Sequence, residues 1–121
     1  MKILIIEDEK TLSAVMQEEL KAKGYDIKIA GDGEVAMKMA KSFRPGIILL
    51  DILLPKKNGL DVLADLKADK ELKSVPVIIV SNLYEDETIK KALALGAVDY
   101  FVKVQHSIYE VIEKIQKYIE K

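Results

Sequence analysis

Near the middle of the chain, four apolar residues run directly into an acid: Ile47-Ile48-Leu49-Leu50-Asp51. The run does not alternate between apolar and polar residues, as it would in a strand with one face in water. A strand without alternation is typical of a parallel sheet that carries helices on both faces. The sequence therefore predicts a central, buried strand over residues 46–50 that ends at Asp51.

Other β-branched runs along the chain also end at a polar residue. Residues 3–6 end at Glu7 and Asp8, residues 77–80 end at Ser81, and residues 101–102 end at Lys103. The carboxyl ends of parallel strands share one edge of the sheet, which is where open α/β sheets bind their ligands. The placement of these residues therefore predicts a common site that includes Asp51.

Segments with apolar residues at helical spacing separate these runs, which predicts five strand–helix units in an α/β fold. The predicted strands are residues 2–6, 25–30, 46–50, 77–80 and 100–102. Gly24, Pro45 and Gly96 are predicted to end three of the helices. Ser107 and Glu110 have the spacing of a capping box that starts the last helix.

Composition limits the classes of protein to consider. The chain has 121 residues, 50% of them hydrophobic and 32% charged, which is typical of one globular domain. A net charge of -1 offers little counterion-release energy for nucleic acid, so direct DNA binding is not expected. No apolar run reaches membrane-spanning length, no export segment opens the chain, and cysteine is absent. We therefore expect a cytoplasmic protein.

Each strand-end residue also has a purely structural interpretation. An acid after a strand commonly caps a helix, so Asp8 alone would simply start the first helix. Asp51 alone would open a turn, Ser81 alone would be a loop hydroxyl, and Lys103 alone would be solvated. Tyr100 alone would be a core residue. Only the coincidence at four strand ends, within one fold pattern, favours a functional site.

The motifs together resemble a response-regulator receiver domain of two-component signalling, similar to the single-domain chemotaxis type. The resemblance covers the whole chain and is carried by features in this order: Glu7-Asp8, Asp51-Ile52-Leu53-Leu54-Pro55 with Asn58-Gly59, Ser81, and the stretch from Gly96 to Lys103 that includes Tyr100. It implies a flavodoxin-like, doubly wound sheet of five parallel strands in the order 2-1-3-4-5, with helices on both faces.

The resemblance implies that Asp51 accepts a phosphoryl group from a sensor histidine kinase or a phosphotransfer protein. It also implies a Mg²⁺ site made of Asp8, Asp51, the Leu53 backbone carbonyl and Glu7, the last directly or through water. Such a domain promotes only its own phosphorylation and dephosphorylation and is not otherwise an enzyme.

The remaining roles implied by the resemblance concern the response to phosphate. Lys103 and Ser81 would contact the phosphoryl oxygens. Ser81 and Tyr100 would then switch a surface made of helix 4, strand 5 and helix 5, which a downstream protein recognises. A monomer or a phosphorylation-dependent dimer is expected.

Some residues depart from the usual receiver pattern. Val104 follows Lys103 where most receivers have proline, so we expect a trans bond there and an altered loop. Asn82 follows Ser81 where a small residue is usual. Leu53 and Leu83 are apolar at positions that flank the phosphate, and we expect them to shield the acyl phosphate from water.

Several alternatives stay open at this stage. The chain ends at Lys121, just after the last predicted helix, so we expect a receiver over residues 1–121 with no output domain; a receiver excised from a longer regulator is the alternative. A pseudo-receiver would bind partners without phosphorylation. A flavodoxin or an aspartate-nucleophile phosphatase is disfavoured, because acids follow the first strand and Leu53 stands where such a phosphatase has its second aspartate.

Overall fold

A computed structural model describes residues 1–120 and shows one parallel sheet with the strand order β2-β1-β3-β4-β5. The strands are β1 (Lys2–Ile6), β2 (Asp26–Ala30), β3 (Ile47–Leu50), β4 (Val77–Ser81) and β5 (Asp99–Val102). The helices are α1 (Lys10–Ala22), α2 (Gly33–Phe43), α3 (Gly59–Ala68), α4 (Asp86–Ala94) and α5 (Ile108–Ile119). The predicted fold class and strand order are confirmed.

The central strand β3 explains why its sequence does not alternate. It pairs with β1 on one side and β4 on the other, and all four of its residues are buried. Successive side chains of a strand point to opposite faces. Ile48 and Leu50 lie in a core shared with α2, α3 and α4, whereas Ile47 and Leu49 lie in a second core shared with α1 and α5. Both faces of β3 are therefore covered by helices.

Element boundaries differ from the predicted ones by a residue or two, and the local backbone explains where they fall. Gly24 and Gly96 adopt φ values of 94° and 113° just beyond α1 and α4, which are conformations that residues with a side chain rarely adopt. The helix α2 ends at Phe43, and Arg44 adopts a left-handed φ of 53°. Pro45 disfavours a right-handed helical conformation at Arg44, which is why the helix stops there.

The strand register places the candidate residues at one edge of the sheet. Ile6 pairs with Leu50, and Leu50 pairs in turn with Ile79. Ser81 pairs with Val102 at the end of β5. Glu7, Asp51 and Lys103 directly follow β1, β3 and β5, and Ser81 is the last residue of β4, so all four lie at the same edge of the sheet.

The last helix, α5, begins as predicted. The Ser107 hydroxyl accepts a hydrogen bond from the Glu110 backbone N–H at 3.1 Å, and the Glu110 carboxylate accepts one from the Ser107 N–H at 3.2 Å. Both bonds satisfy donors that have no partner within the helix. Among the helices formed by residues 1–120, none has both the length and the apolar character needed to cross a membrane.

We predict that Ser107→Ala lowers the free energy of unfolding by about 1 kcal/mol, because the Glu110 N–H loses its acceptor. Ser107→Asp should retain most of the stability, since aspartate caps helices about as well as serine. Urea titration followed by circular dichroism measures both changes. Ser74→Ala, at an exposed serine outside the helices, is the control. Equal stability of Ser107→Ala and wild type would contradict this account of the cap.

Candidate functional site

The edge of the sheet brings together three carboxylates and one ammonium. Oxygen atoms of Glu7, Asp8 and Asp51 all lie within 4.8 Å of one another. The Lys103 Nζ lies 2.6 Å from Glu7 Oε1 and 2.9 Å from Asp51 Oδ2. Residues from the ends of β1, β3 and β5 thus form one cluster, as their positions at strand ends predict.

Burial differs sharply within this cluster. Glu7 and Asp51 are 5% and 4% exposed, whereas Asp8 is exposed at the mouth of the site. Burial raises the pKa of Glu7, although hydrogen bonds from Lys103 and from the Glu9 N–H oppose that rise. Burial by itself lowers the pKa of Lys103. The hydrogen bonds from its ammonium to Glu7 and Asp51 have the larger, opposite effect, so the pKa of Lys103 is raised overall. Lys103 therefore stays charged near neutral pH.

The charge balance of the cluster favours a cation. Three carboxylates face a single ammonium in a partly buried pocket, so negative charge is left uncompensated. Carboxylate oxygens are the ligands that hard divalent cations prefer. The donor set of Glu7, Asp8 and Asp51 therefore fits a divalent cation such as Mg²⁺.

The loop after β3 orients Asp51. The Leu53 N–H donates a hydrogen bond to Asp51 Oδ1 at 3.2 Å, while Lys103 holds the other oxygen. The Gly59 N–H donates to the Ile52 carbonyl at 2.8 Å. A Cβ on Gly59 would lie 2.5 Å from Ile52 Cα and 2.9 Å from the Asp51 carbonyl carbon. Glycine at this position thus lets α3 begin directly against the residues around Asp51.

Ser81 and Tyr100 lie beside the cluster and share one neighbour. The Ser81 side chain is fully buried, and its hydroxyl accepts a hydrogen bond from the Leu83 N–H at 3.3 Å. The Tyr100 hydroxyl donates to the Leu83 carbonyl at 2.5 Å. Burial raises the pKa of Tyr100, so its hydroxyl stays protonated and able to donate. Both side chains therefore fix the loop between β4 and α4 at Leu83.

The structure shows where the residues lie that depart from the usual receiver pattern. Residues Lys103–Gln105 form a single 3₁₀ turn, every peptide bond within residues 1–120 is trans, and Val104 is 76% exposed. Asn82 is exposed. The two leucines differ, because the Leu53 side chain is 53% exposed whereas Leu83 packs against the core beneath α2, α3 and α4. Leu53 is thus the leucine whose side chain is more open to solvent.

One contact near the site has no counterpart in the sequence prediction. Gly33, at the start of α2, donates its N–H to the Pro55 carbonyl at 3.2 Å and so touches the loop after β3. The sequence predicts only a turn at Asp32-Gly33. Turn residues are recognised from their immediate neighbours in the sequence, and such a local pattern cannot predict a contact with a loop that is distant along the chain.

Comparison with known proteins agrees with this geometry. The family model described as the response regulator receiver domain matches residues 3–116. The alkaline phosphatase synthesis transcriptional regulatory protein PhoP of Bacillus subtilis (strain 168) is 36% identical over 102 residues, which cover 84% of this chain and 42% of that protein. The chain thus spans half or less of the length of curated relatives that it matches.

Two solved structures are similar over nearly their whole length. The Mn(2+)-bound form of response regulator Rcp1 has 29% sequence identity and a TM-score of 0.86, covering 97% of this chain and 92% of that one. The phosphorylated cyanobacterial phytochrome response regulator RcpA has 30% identity and a TM-score of 0.84, covering 98% and 91%. With the family model matching residues 3–116, the chain belongs to the family of response regulator receiver domains.

Proposed function

We propose that Asp51 accepts a phosphoryl group from the phosphohistidine of a sensor histidine kinase or of a phosphotransfer protein. The observation that carries this proposal is the way both oxygens of Asp51 are held. Oδ1 accepts the Leu53 N–H and Oδ2 accepts the Lys103 ammonium. A carboxylate fixed in this way is pre-oriented for attack on phosphorus, which saves the entropy of aligning it.

The proposed transfer follows from this geometry. An Asp51 oxygen forms a bond to phosphorus as the bond from phosphorus to the imidazole nitrogen breaks, and that nitrogen keeps the electron pair. Lys103 is already anchored by Glu7, so its ammonium can pair with the phosphoryl oxygens without leaving the site. The Ser81 hydroxyl would donate to another phosphoryl oxygen once the acyl phosphate has formed.

We propose Mg²⁺ as the cofactor. Asp8 and Asp51 would bind the ion together with the Leu53 backbone carbonyl, and Glu7 would bind it directly or through water. When bound, the ion supplies the positive charge that lets an anionic phosphoryl group approach three carboxylates. The acidic cluster of this chain and the Mn(2+)-bound form of the similar protein Rcp1 both support a divalent site.

The proposed output is a change in the surface formed by α4, β5 and α5. If Ser81 turns toward the phosphoryl group, it gives up its bond from the Leu83 N–H. The loop that Tyr100 holds through the Leu83 carbonyl is then free to rearrange, and α4 begins shortly after that loop. A downstream protein that binds only one arrangement of this surface would read the phosphorylation state.

Phosphorylation of Asp51 is the first prediction of this proposal. Acetyl phosphate with Mg²⁺ should add one phosphoryl group to the wild type, as measured by intact mass, and Asp51→Asn should gain nothing. Asp61→Asn, the same substitution in the first turn of α3, should behave as wild type. A wild type that gains no mass with any phosphodonor would contradict the proposal and favour a pseudo-receiver.

Metal binding gives a second prediction. Asp8→Asn should weaken Mg²⁺ binding by at least about tenfold, or about 1.4 kcal/mol, because it removes one carboxylate ligand. Isothermal titration calorimetry measures the affinity. Glu18→Gln removes the same charge from an exposed position on α1 and should leave the affinity unchanged. If both variants weaken binding equally, only overall charge matters and Asp8 is not a ligand.

The lifetime of the acyl phosphate gives a third prediction. Replacing both Leu53 and Leu83 with asparagine should speed phosphate release, because water gains access to the phosphorus. The exposure of Leu53 leads us to expect most of the effect from Leu53→Asn alone. The decay of phosphorylated mass after removal of the phosphodonor reports the rate. Leu93→Asn, at an exposed leucine of α4, is the control. An unchanged lifetime in the double variant would show that these side chains do not shield the phosphate.

A further inference from the structure

We propose that Asp32 and Gly33, at the start of α2, are positioning residues for the acceptor loop. The acceptor loop is defined here as residues 52–58, which join β3 to α3. This inference rests on the proposed function of Asp51. It assigns a role to a strand–helix connection that contributes no side chain to the acidic cluster.

Gly33 touches the acceptor loop at its outer side. Gly33 is buried, and its N–H donates a hydrogen bond to the Pro55 carbonyl at 3.2 Å. A Cβ built on Gly33 would lie 2.6 Å from Lys57 Cβ and 2.8 Å from the Lys57 carbonyl carbon. Real Cβ atoms do not approach backbone this closely, so any side chain here must displace the loop.

Asp32 joins the start of α2 to the same loop through its carboxylate. Its Oδ1 accepts hydrogen bonds from the backbone N–H groups of Glu34 and Val35 at 2.8 Å and 3.0 Å, which caps α2. Its Oδ2 lies 3.6 Å from the Lys56 Nζ. The N–H of Val35, followed by that of Glu34 and the charge of Lys56, lowers the pKa of Asp32. The cap is therefore charged at neutral pH and forms a solvent-exposed ion pair with Lys56 of the acceptor loop.

The acceptor loop has a conformation that needs external support. Lys56 adopts a φ of 68°, and the Lys57 N–H donates to the Pro55 carbonyl at 2.8 Å across it. A residue with a side chain is strained in this left-handed conformation, so contacts around it must hold it in place. On the opposite side, Lys57 forms an ion pair with Asp65 of α3. The turn is therefore held between the start of α2 and the side of α3.

Only a few peptide groups and hydrogen bonds separate this turn from Asp51, the proposed acceptor, so a displacement of the turn should also displace Asp51. The Leu54 N–H donates to the Ile52 carbonyl at 3.0 Å, and the Leu53 N–H donates to Asp51 Oδ1. Pro55 follows Leu54 directly, so moving Pro55 moves the peptide groups that orient Asp51. The same peptide groups include the Leu53 carbonyl that we propose as a metal ligand. Displacement of the turn should therefore impair both metal binding and phosphoryl transfer.

The test compares Gly33→Ala with Gly31→Ala. A Cβ at Gly31 meets nothing within 4 Å, so Gly31→Ala makes the same chemical change without the contact. We expect Gly33→Ala to slow phosphorylation by acetyl phosphate at saturating Mg²⁺ by roughly tenfold or more, since small misplacements of a reacting group are costly. It should also weaken Mg²⁺ binding measured by calorimetry. Gly31→Ala should match the wild type in both.

A second pair of variants keeps the test valid if Gly33→Ala does not fold. Lys56→Met removes the ion pair with Asp32 without adding bulk at the start of α2. We expect it to slow phosphorylation in the same direction as Gly33→Ala, and Lys56→Arg to restore the rate. Lys38→Met, which removes the same charge from an exposed position of α2, should have no effect.

The outcomes separate this inference from the proposed function. If the wild type is phosphorylated on Asp51 and a folded Gly33→Ala reacts and binds Mg²⁺ as well as the wild type, the inference is wrong and the proposed function stands. If Gly33→Ala does not fold, wild-type behaviour of Lys56→Met overturns the inference. If the wild type is not phosphorylated at all, the proposed function fails, and the Mg²⁺ affinities of the same variants still decide whether α2 positions the metal ligands.

Discussion

The Lys103 ammonium, bound between Glu7 and Asp51, is the interaction on which the site depends. Two buried carboxylates at the ends of adjacent strands repel each other and lose hydration, so each alone would be costly to keep charged. Lys103 joins them at 2.6 Å and 2.9 Å and thereby ties the end of β5 to the ends of β1 and β3. The single 3₁₀ turn that carries Lys103 supplies this cation without a proline after it.

Much of the fold and the grouping of the candidate residues follow from the sequence because a parallel sheet obeys simple rules. The run at Ile47 to Leu50 lacks alternation, and β3 is indeed buried on both faces. Glu7, Asp51 and Lys103 each follow a strand, and parallel strands end at one edge, so their proximity was predictable without any knowledge of side-chain packing. The capping box at Ser107 was predictable because it depends only on residues close in sequence.

What the sequence does not reveal is contact between distant segments. The sequence alone leads to the same expectation for Leu53 and Leu83, yet Leu53 is exposed and the partly buried Leu83 packs against the core. Tertiary packing, which the sequence pattern does not report, decides where the side chain of a loop residue lies. The sequence around Gly33 predicts a turn, but it does not predict that the Gly33 N–H donates a hydrogen bond to the Pro55 carbonyl. Such contacts arise when two helices start near the same loop, and spacing along the chain does not encode that proximity.

The separation of the two cores has a consequence for how this molecule can be recognised. Helix α4 packs in the core on one face of the sheet and α5 packs in the core on the other, while β5 forms the edge between them. Tyr100 and Phe101, neighbours on β5, belong to opposite cores. A protein bound at this edge would contact both helical layers at once, so the shape of its binding surface would depend on how the two layers are placed relative to each other.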